Sequence, residues 1–239
     1  MDERTPRAGA RNAFGLVAGA LFVLGPALAG LRLVPGIVGF ALLALGGIVG
    51  LAVGLVSVVR AARGRGLGRG GAVAVGVGAV FLALALRSAG APRINDFTTD
   101  PADPPAFSHA ATLPPNVGRD MSYPKAFAAV QHDCCADLRP ARVRMGAPAA
   151  LARADEVVRQ MGLTVTWSDP SAGLLEATAT SRLFGFHDDI AIRVRPEPDG
   201  TARVDVRSKS RDGQGDLGVN AARIRTFVQE IEADGATPP

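Results

Sequence analysis

Lysine is almost missing from this chain of 239 residues, which carries Lys125 and Lys209 beside 24 arginines. Acid is almost missing from its first 90 residues, where Asp2 and Glu3 stand against nine arginines. Charge of either sign is wholly missing from three apolar stretches, Ala13 to Leu31, Gly36 to Val59 and Gly71 to Leu86. A span without Asp, Glu, Lys, Arg or His offers no candidate residue for a proton relay or ion pathway, which argues against a transporter acting alone. The chain has no P-loop, no dinucleotide fingerprint after a strand and no G-x-S-x-G elbow. Two cysteines, adjacent at 134 and 135, supply neither a disulfide framework nor a C-x-x-C metal knuckle.

The three stretches are what is present instead. About 20 apolar residues cross about 30 Å of hydrocarbon, so the first two, 13–31 and 36–59, are long enough. The third reaches that length as 71–88 if Arg87 snorkels. Residues 1–90 thus read as a membrane anchor with three transmembrane helices. Arg4, Arg7 and Arg11 precede the first span, and Arg60, Arg63, Arg65 and Arg69 fill the loop between the second and third, whereas Arg32 stands alone in the first turn. Positive charge near span ends favours the cytoplasmic side. The expected location is a bacterial-type inner (cytoplasmic) membrane, multi-pass, with everything after the third span outside the cytoplasm. Pro26-Ala27-Leu28-Ala29 also fits a signal-peptide cleavage site, an alternative that leaves the same side for the C-terminal part.

From residue 91 the balance reverses to 17 basic and 20 acidic residues. The excess of base belongs to the anchor, and no nucleic-acid partner is expected. A contact of Arg60, Arg63, Arg65 and Arg69 with anionic headgroups is an additional reading. Small residues recur four apart at Gly15 and Gly19, at Gly46, Gly50 and Gly54, and at Ala74 and Gly78. Chance, packing among the protein's own spans, and dimerisation all fit that spacing.

Residues 91–140 are rich in proline and read as an extended arm whose Ile94, Phe97, Phe107, Tyr123 and Phe127 pack onto the domain C-terminal to it. Residues 141–234 read as that domain, an extracytoplasmic α+β unit. Strand alternation recurs around 142–145, 163–167, 175–179, 190–194 and 204–206, and helical stripes at Leu151, Ala154, Val157, Val158 and Met161 and at Ile224, Phe227, Val228 and Ile231. Short turns imply an antiparallel meander sheet with two helices on one face. The other face is left to Glu176, Arg193, Arg195, Arg203, Asp205 and Arg207, open for binding.

Ile94-Asn95-Asp96-Phe97-Thr98-Thr99-Asp100, Phe184-Gly185-Phe186-His187-Asp188-Asp189, and the run from Arg203 through Lys209 to Asp216-Leu217-Gly218-Val219-Asn220-Ala221-Ala222-Arg223-Ile224 resemble the domain of unknown function 1499 family over about residues 93–233. Asp212 and Gln214 depart from its pattern. The resemblance implies a domain and no activity. Physically, parity places Ser208 and Ser210 with Val204 and Val206, and Asp188 with Ile190. Asp216 and Asn220 sit where the last helix starts, and Arg211 or Arg223 can pair with Asp188 or Asp216. These residues admit two readings. The first is a network that locks the loop; the second is a polar pocket of His187, Asp188, Ser208, Ser210, Arg211, Asp216 and Asn220.

A catalytic version would join His187 to Asp188 or Asp189 and to Ser208 or Ser210, giving an extracytoplasmic hydrolase. It is the alternative to the leading expectation, a non-enzymatic module that binds an envelope protein, a lipid or a second copy of itself. No cofactor or metal is expected. His132, Asp133, Cys134 and Asp137 are the residues that a metal reading would use, and the cysteines are read as apolar packing or as a bridge to a second copy.

Overall fold

The computed structural model describes residues 6–233, with side chains from residue 9 onward; Arg4, the Arg7 side chain and Pro239 lie outside that description. The chain divides into a helical unit up to Gly90 and an α+β unit formed by residues 91–180 and 186–233.

Three helices make the first unit, α1 (Pro6–Gly30), α2 (Gly36–Ala62) and α3 (Arg69–Ser88), each long and apolar enough to cross a membrane. The third reaches full length because it starts at Arg69, ahead of the apolar run, and continues past Arg87. Burial here is inverted relative to a water-soluble bundle. Ala18, Ala29, Gly46, Gly50, Gly54, Ala74 and Gly78 are buried, while Phe14, Leu16, Val23, Ile48, Leu55 and Leu82 are exposed. That is the pattern of helices that turn large apolar side chains to lipid and pack through small ones.

The glycine spacing has one of its three readings realised. A Cβ on Gly15 would collide with the Gly70 carbonyl, one on Gly46 would lie 2.6 Å from the Phe22 nitrogen, and one on Gly50 3.2 Å from the Gly78 nitrogen. The small residues serve close approach among the protein's own spans.

The second unit is an α+β sandwich. Its sheet is a meander of β3 (Thr164–Asp169), β4 (Leu174–Thr180), β5 (His187–Pro196) and β6 (Ala202–Ser210), all antiparallel. Two short strands, β1 (Asp96–Thr98) and β2 (Ala141–Val143), lie one after the other along the outer edge of β6. The hairpins turn where aspartates can tie the backbone: Asp169 Oδ1 accepts the Ser171 and Ala172 N–H groups, and Asp199 Oδ1 accepts the Thr201 N–H.

Helices α5 (Ala147–Gln160) and α6 (Val219–Ala233) cover one face. Ala150, Leu151, Ala154, Val157 and Val158 from α5, and Ile224, Phe227 and Ile231 from α6, meet Leu175, Ala177, Ile190, Ile192, Val204 and Val206 in the main core. A third helix, α4 (Lys125–Cys135), adds Phe127 and Cys135 to that core.

The region expected to be an extended arm therefore holds a strand, two 3-10 turns (Ala110–Thr112 and Pro114–Asn116) and a helix. Between Pro124, which caps α4, and Pro140 the region has no proline, so eleven helical residues fit between them. Through β1 the arm belongs to the same sheet as the segment after 141.

Candidate functional site

Strand register sorts the polar residues by face, because residues directly opposite in a ladder share a side. Asp188 pairs with Ser210, Ile190 with Ser208, Ile192 with Val206. These look toward the helices. Asp189 pairs with Lys209, Ala191 with Arg207, Arg193 with Asp205, Arg195 with Arg203, and His187 with Thr180, all on the opposite face.

On the helix-covered face the ends of β5 and β6 meet the start of α6. The Ser208 hydroxyl donates to Asn220 Oδ1 at 2.6 Å, and Asn220 Nδ2 donates to Ser210 Oγ at 2.9 Å and to the Asn95 carbonyl at 3.3 Å. Arg223 Nη2 donates to Asp188 Oδ2 at 2.7 Å, and Arg223 Nη1 to Ser208 Oγ and Asn220 Oδ1. Ser208 and Asn220 are fully buried.

Asp216 stands at the entrance to α6. Its two oxygens accept the Gly218 N–H at 2.9 Å and the Asn220 N–H at 2.6 Å, which satisfies donors the helix leaves unbonded at its first turn. No ion pair reaches it among the described residues. Burial first, and then the Asp188 charge, push its carboxyl above the ordinary aspartate range, against the pull of the two backbone N–H donors.

Thus Asp188, Ser208, Ser210, Asp216 and Asn220 come together, as the sequence reading placed them. His187 and Arg211 do not. His187 Nδ1 lies 3.0 Å from Thr180 Oγ1, and the Arg211 guanidinium holds Asp189, both on the other face of the sheet. The sheet itself thus lies between His187 and Ser208 or Ser210. Strand alternation makes that separation unavoidable, since His187 is one residue from Asp188 and so points away from it.

The opposite face is not open. The segment from Asp96 to Met121 lies across it and seats Phe107 and Ala110 on Ala191, with Leu113 and Met121 around them. Ionised groups beneath that cover are matched one against another. Asp205, fully buried, accepts from Arg193 Nη2 at 3.1 Å, Arg195 Nη2 at 2.8 Å and Arg203 Nε at 2.8 Å. Asp100 takes Arg203, and Asp103 takes both Arg193 and Arg195, which draw its carboxyl below the ordinary range. Asp96, fully buried, holds Arg207 at 2.7 Å and Lys209 at 3.0 Å.

Arg207 is itself 2% exposed and lies 4.7 Å from the Phe107 ring centroid and 5.6 Å from that of Tyr123. Burial raises the Tyr123 phenol to about 12, with the Asp96 charge a smaller cause, so it stays neutral. Glu176 accepts three backbone N–H groups, from Ser108, His109 and Ala110. Asp189 accepts from Arg211 and from Asn116 Nδ2 at 2.7 Å. Here Asp96, Asp100, Asp103, Glu176, Asp189 and Asp205 equal in number Arg193, Arg195, Arg203, Arg207, Lys209 and Arg211. The face expected to bind a partner is the seam that fastens the arm. Arm residues such as Asn116, in a three-residue turn, and Gln131, a polar residue on the buried side of α4 whose amide exchanges hydrogen bonds with the Thr98 backbone, carried no sequence signal because their partners lie far along the chain.

A groove of about 380 Å³ opens beside this seam, where Thr99 to Pro101 run past the end of α4. Arg203, Cys135, Leu138 and Arg139 also line it. Arg139 is exposed and has no hydrogen bond or ion pair among the described residues. Cys134 and Cys135 are paired with each other within the chain, and Cys135 packs in the main core, as the apolar-packing reading has it. No group of three or more metal-capable side chains converges among the described residues; Asp137 instead accepts from Arg225.

No curated protein matches the chain. The model of the family described as "Protein of unknown function (DUF1499)" matches residues 96–231, from the first residue of β1 to the last buried residue of α6. The match opens on Asp96, the acid that fastens the arm to the sheet, and takes in both faces of it, so the chain belongs to this family and carries it behind three helices able to span a membrane.

Proposed function

We propose that the three spans hold the α+β unit outside the cytoplasm as a non-catalytic interaction module, and that its contact surface is the groove at Arg139. One observation carries this reading: the buried charges beneath the arm are matched inside the unit, whereas Arg139 lies exposed at a concave surface and makes no hydrogen bond or ion pair among the described residues. A solvated arginine beside an apolar wall of Leu138 and Pro140 suits an envelope protein that presents a carboxylate next to an apolar side chain. The orientation rests on the arginines gathered at the N-terminus and in the loop before α3, which outnumber Arg32, Arg87 and Arg93.

Photo-crosslinking in native membranes from a reactive residue at 139 tests the surface, with the same residue at Glu197, on an exposed hairpin, as control. We expect a discrete adduct from 139 alone. Adducts from neither position, or equally from both, would remove the groove, and an adduct of twice the chain's mass would replace the foreign partner with a second copy. A reporter fused after Pro239 is expected to behave as extracytoplasmic and one inserted at Gly66 as cytoplasmic; the reverse pattern would overturn the orientation.

A further inference from the structure

We propose that the end of the helical unit where α1 and α3 begin and α2 ends is a binding site for the phosphate of an anionic phospholipid, held by Arg11, Arg60 and Arg65. The local chain geometry builds it. At the end of α2, Gly64 adopts a left-handed conformation (φ 73°), its N–H donates to Ala61 O, and the Arg65 N–H returns to Arg60 O at 3.1 Å. This closure folds Arg65 back over the last turn of α2, beside Arg60. Arg11 comes from the start of α1, which is pressed against the start of α3 so closely that a Cβ on Gly70 would strike the Asn12 backbone. Arg11 and Arg65 are the charges that act on Arg60.

Three features of this end call for an anion. First, the Nε–H donors of Arg11 and Arg60 are buried and have no hydrogen-bond partner among the described residues. Second, residues 4–95 contain no aspartate or glutamate, and Asp2 and Glu3 are outnumbered by Arg11, Arg60, Arg63, Arg65 and Arg69. Third, two helices start here with no acid in the first turn of either, whereas helix N-termini favour negative charge. The lipid is chosen over a free ion by what lies next to the arginines. Leu55, Val56 and Val59 on α2 and Phe14 and Val17 on α1 are exposed within two turns of these arginines, a surface for acyl chains that sets the headgroup at the level of Arg60 and Arg11.

The test uses the full chain, purified in detergent and exchanged into mixed dioleoyl phosphatidylglycerol and phosphatidylcholine, with the lipids retained per protein counted by native mass spectrometry. The wild-type protein is expected to retain phosphatidylglycerol preferentially. Arg65→Gln should lower that selectivity about fivefold, and Arg11→Gln with Arg60→Gln should bring it close to one, at roughly a fivefold step per arginine. Arg87→Gln, at the other end of α3, should leave it unchanged. Absence of selectivity in the wild type, or an equal loss in Arg87→Gln, would overturn the site. Displacement of phosphatidylglycerol by excess inorganic phosphate would overturn the lipid as its occupant. Should the double variant fail to fold, Arg65→Gln decides, because its side chain lies on a solvent-exposed loop.

Discussion

At Asp216 capping and charge can be separated, because the carboxylate accepts two backbone N–H groups and no arginine. Asp216→Ala removes both bonds and should cost about 0.5–2 kcal/mol. Asp216→Asn keeps one acceptor and removes a charge that burial disfavours, so it should cost less than half as much by chemical denaturation of the α+β unit. The pH dependence stems from the raised folded value. Between the ordinary aspartate pKa and that raised value the folded state binds more protons than the unfolded, so this residue's contribution falls as pH rises and the penalty is complete above the window. The stability difference between wild type and Asp216→Asn, measured across mildly acidic pH, should move in the variant's favour as pH rises. A flat difference would mean that burial does not strain the charge. Arg207 makes the opposite case, since its removal leaves Asp96 buried with Lys209 alone. Arg207→Met should cost about 3–5 kcal/mol, and Lys209→Met, at the seam's edge, less.

Among the elements, the arm decides whether the sheet can fold. A fragment beginning near residue 119 would keep both striped helices and every strand but β1. The structure argues for starting at 91. Without residues 96–118 the buried Asp205, Glu176 and Asp189 lose partners from the arm or the cover above them, and Ala191 loses Phe107. The 91–233 fragment should unfold cooperatively, whereas 119–233 should show a broad transition and bind a hydrophobic dye. The paired cysteines belong to the same scale. Joined to each other at the end of α4, they should leave the chain monomeric on a non-reducing gel and resist alkylation until a reductant is added. A reductant-sensitive dimer would restore the bridge between copies.

At the scale of the whole molecule, small residues organise the spans and charges organise the sheet. Gly46→Val puts a branched side chain where the Phe22 backbone already stands, so in the full chain in detergent it should lower the midpoint at which the helical unit unfolds while leaving the transition of the α+β unit in the same chain untouched. An unchanged midpoint would return the glycine spacing to chance.

The sequence by itself determined the three spans, the meander and the two striped helices, because each is written in a local period of apolar residues that needs no distant partner to be read. It also placed Asp188, Ser208 and Ser210 on one side, since parity along a strand is local too, and Asn220 at the start of the last helix. Only the tertiary structure decided that His187 and Arg211 face away from them, that Arg223 rather than Arg211 holds Asp188, and that the charged face is covered. Those outcomes depend on ladder register and on contacts as far apart as Asp96 and Arg207, 111 positions along the chain. An arginine in a sequence announces a charge; which carboxylate neutralises it is settled when chain closure brings one within about 3 Å and excludes the water that would otherwise serve.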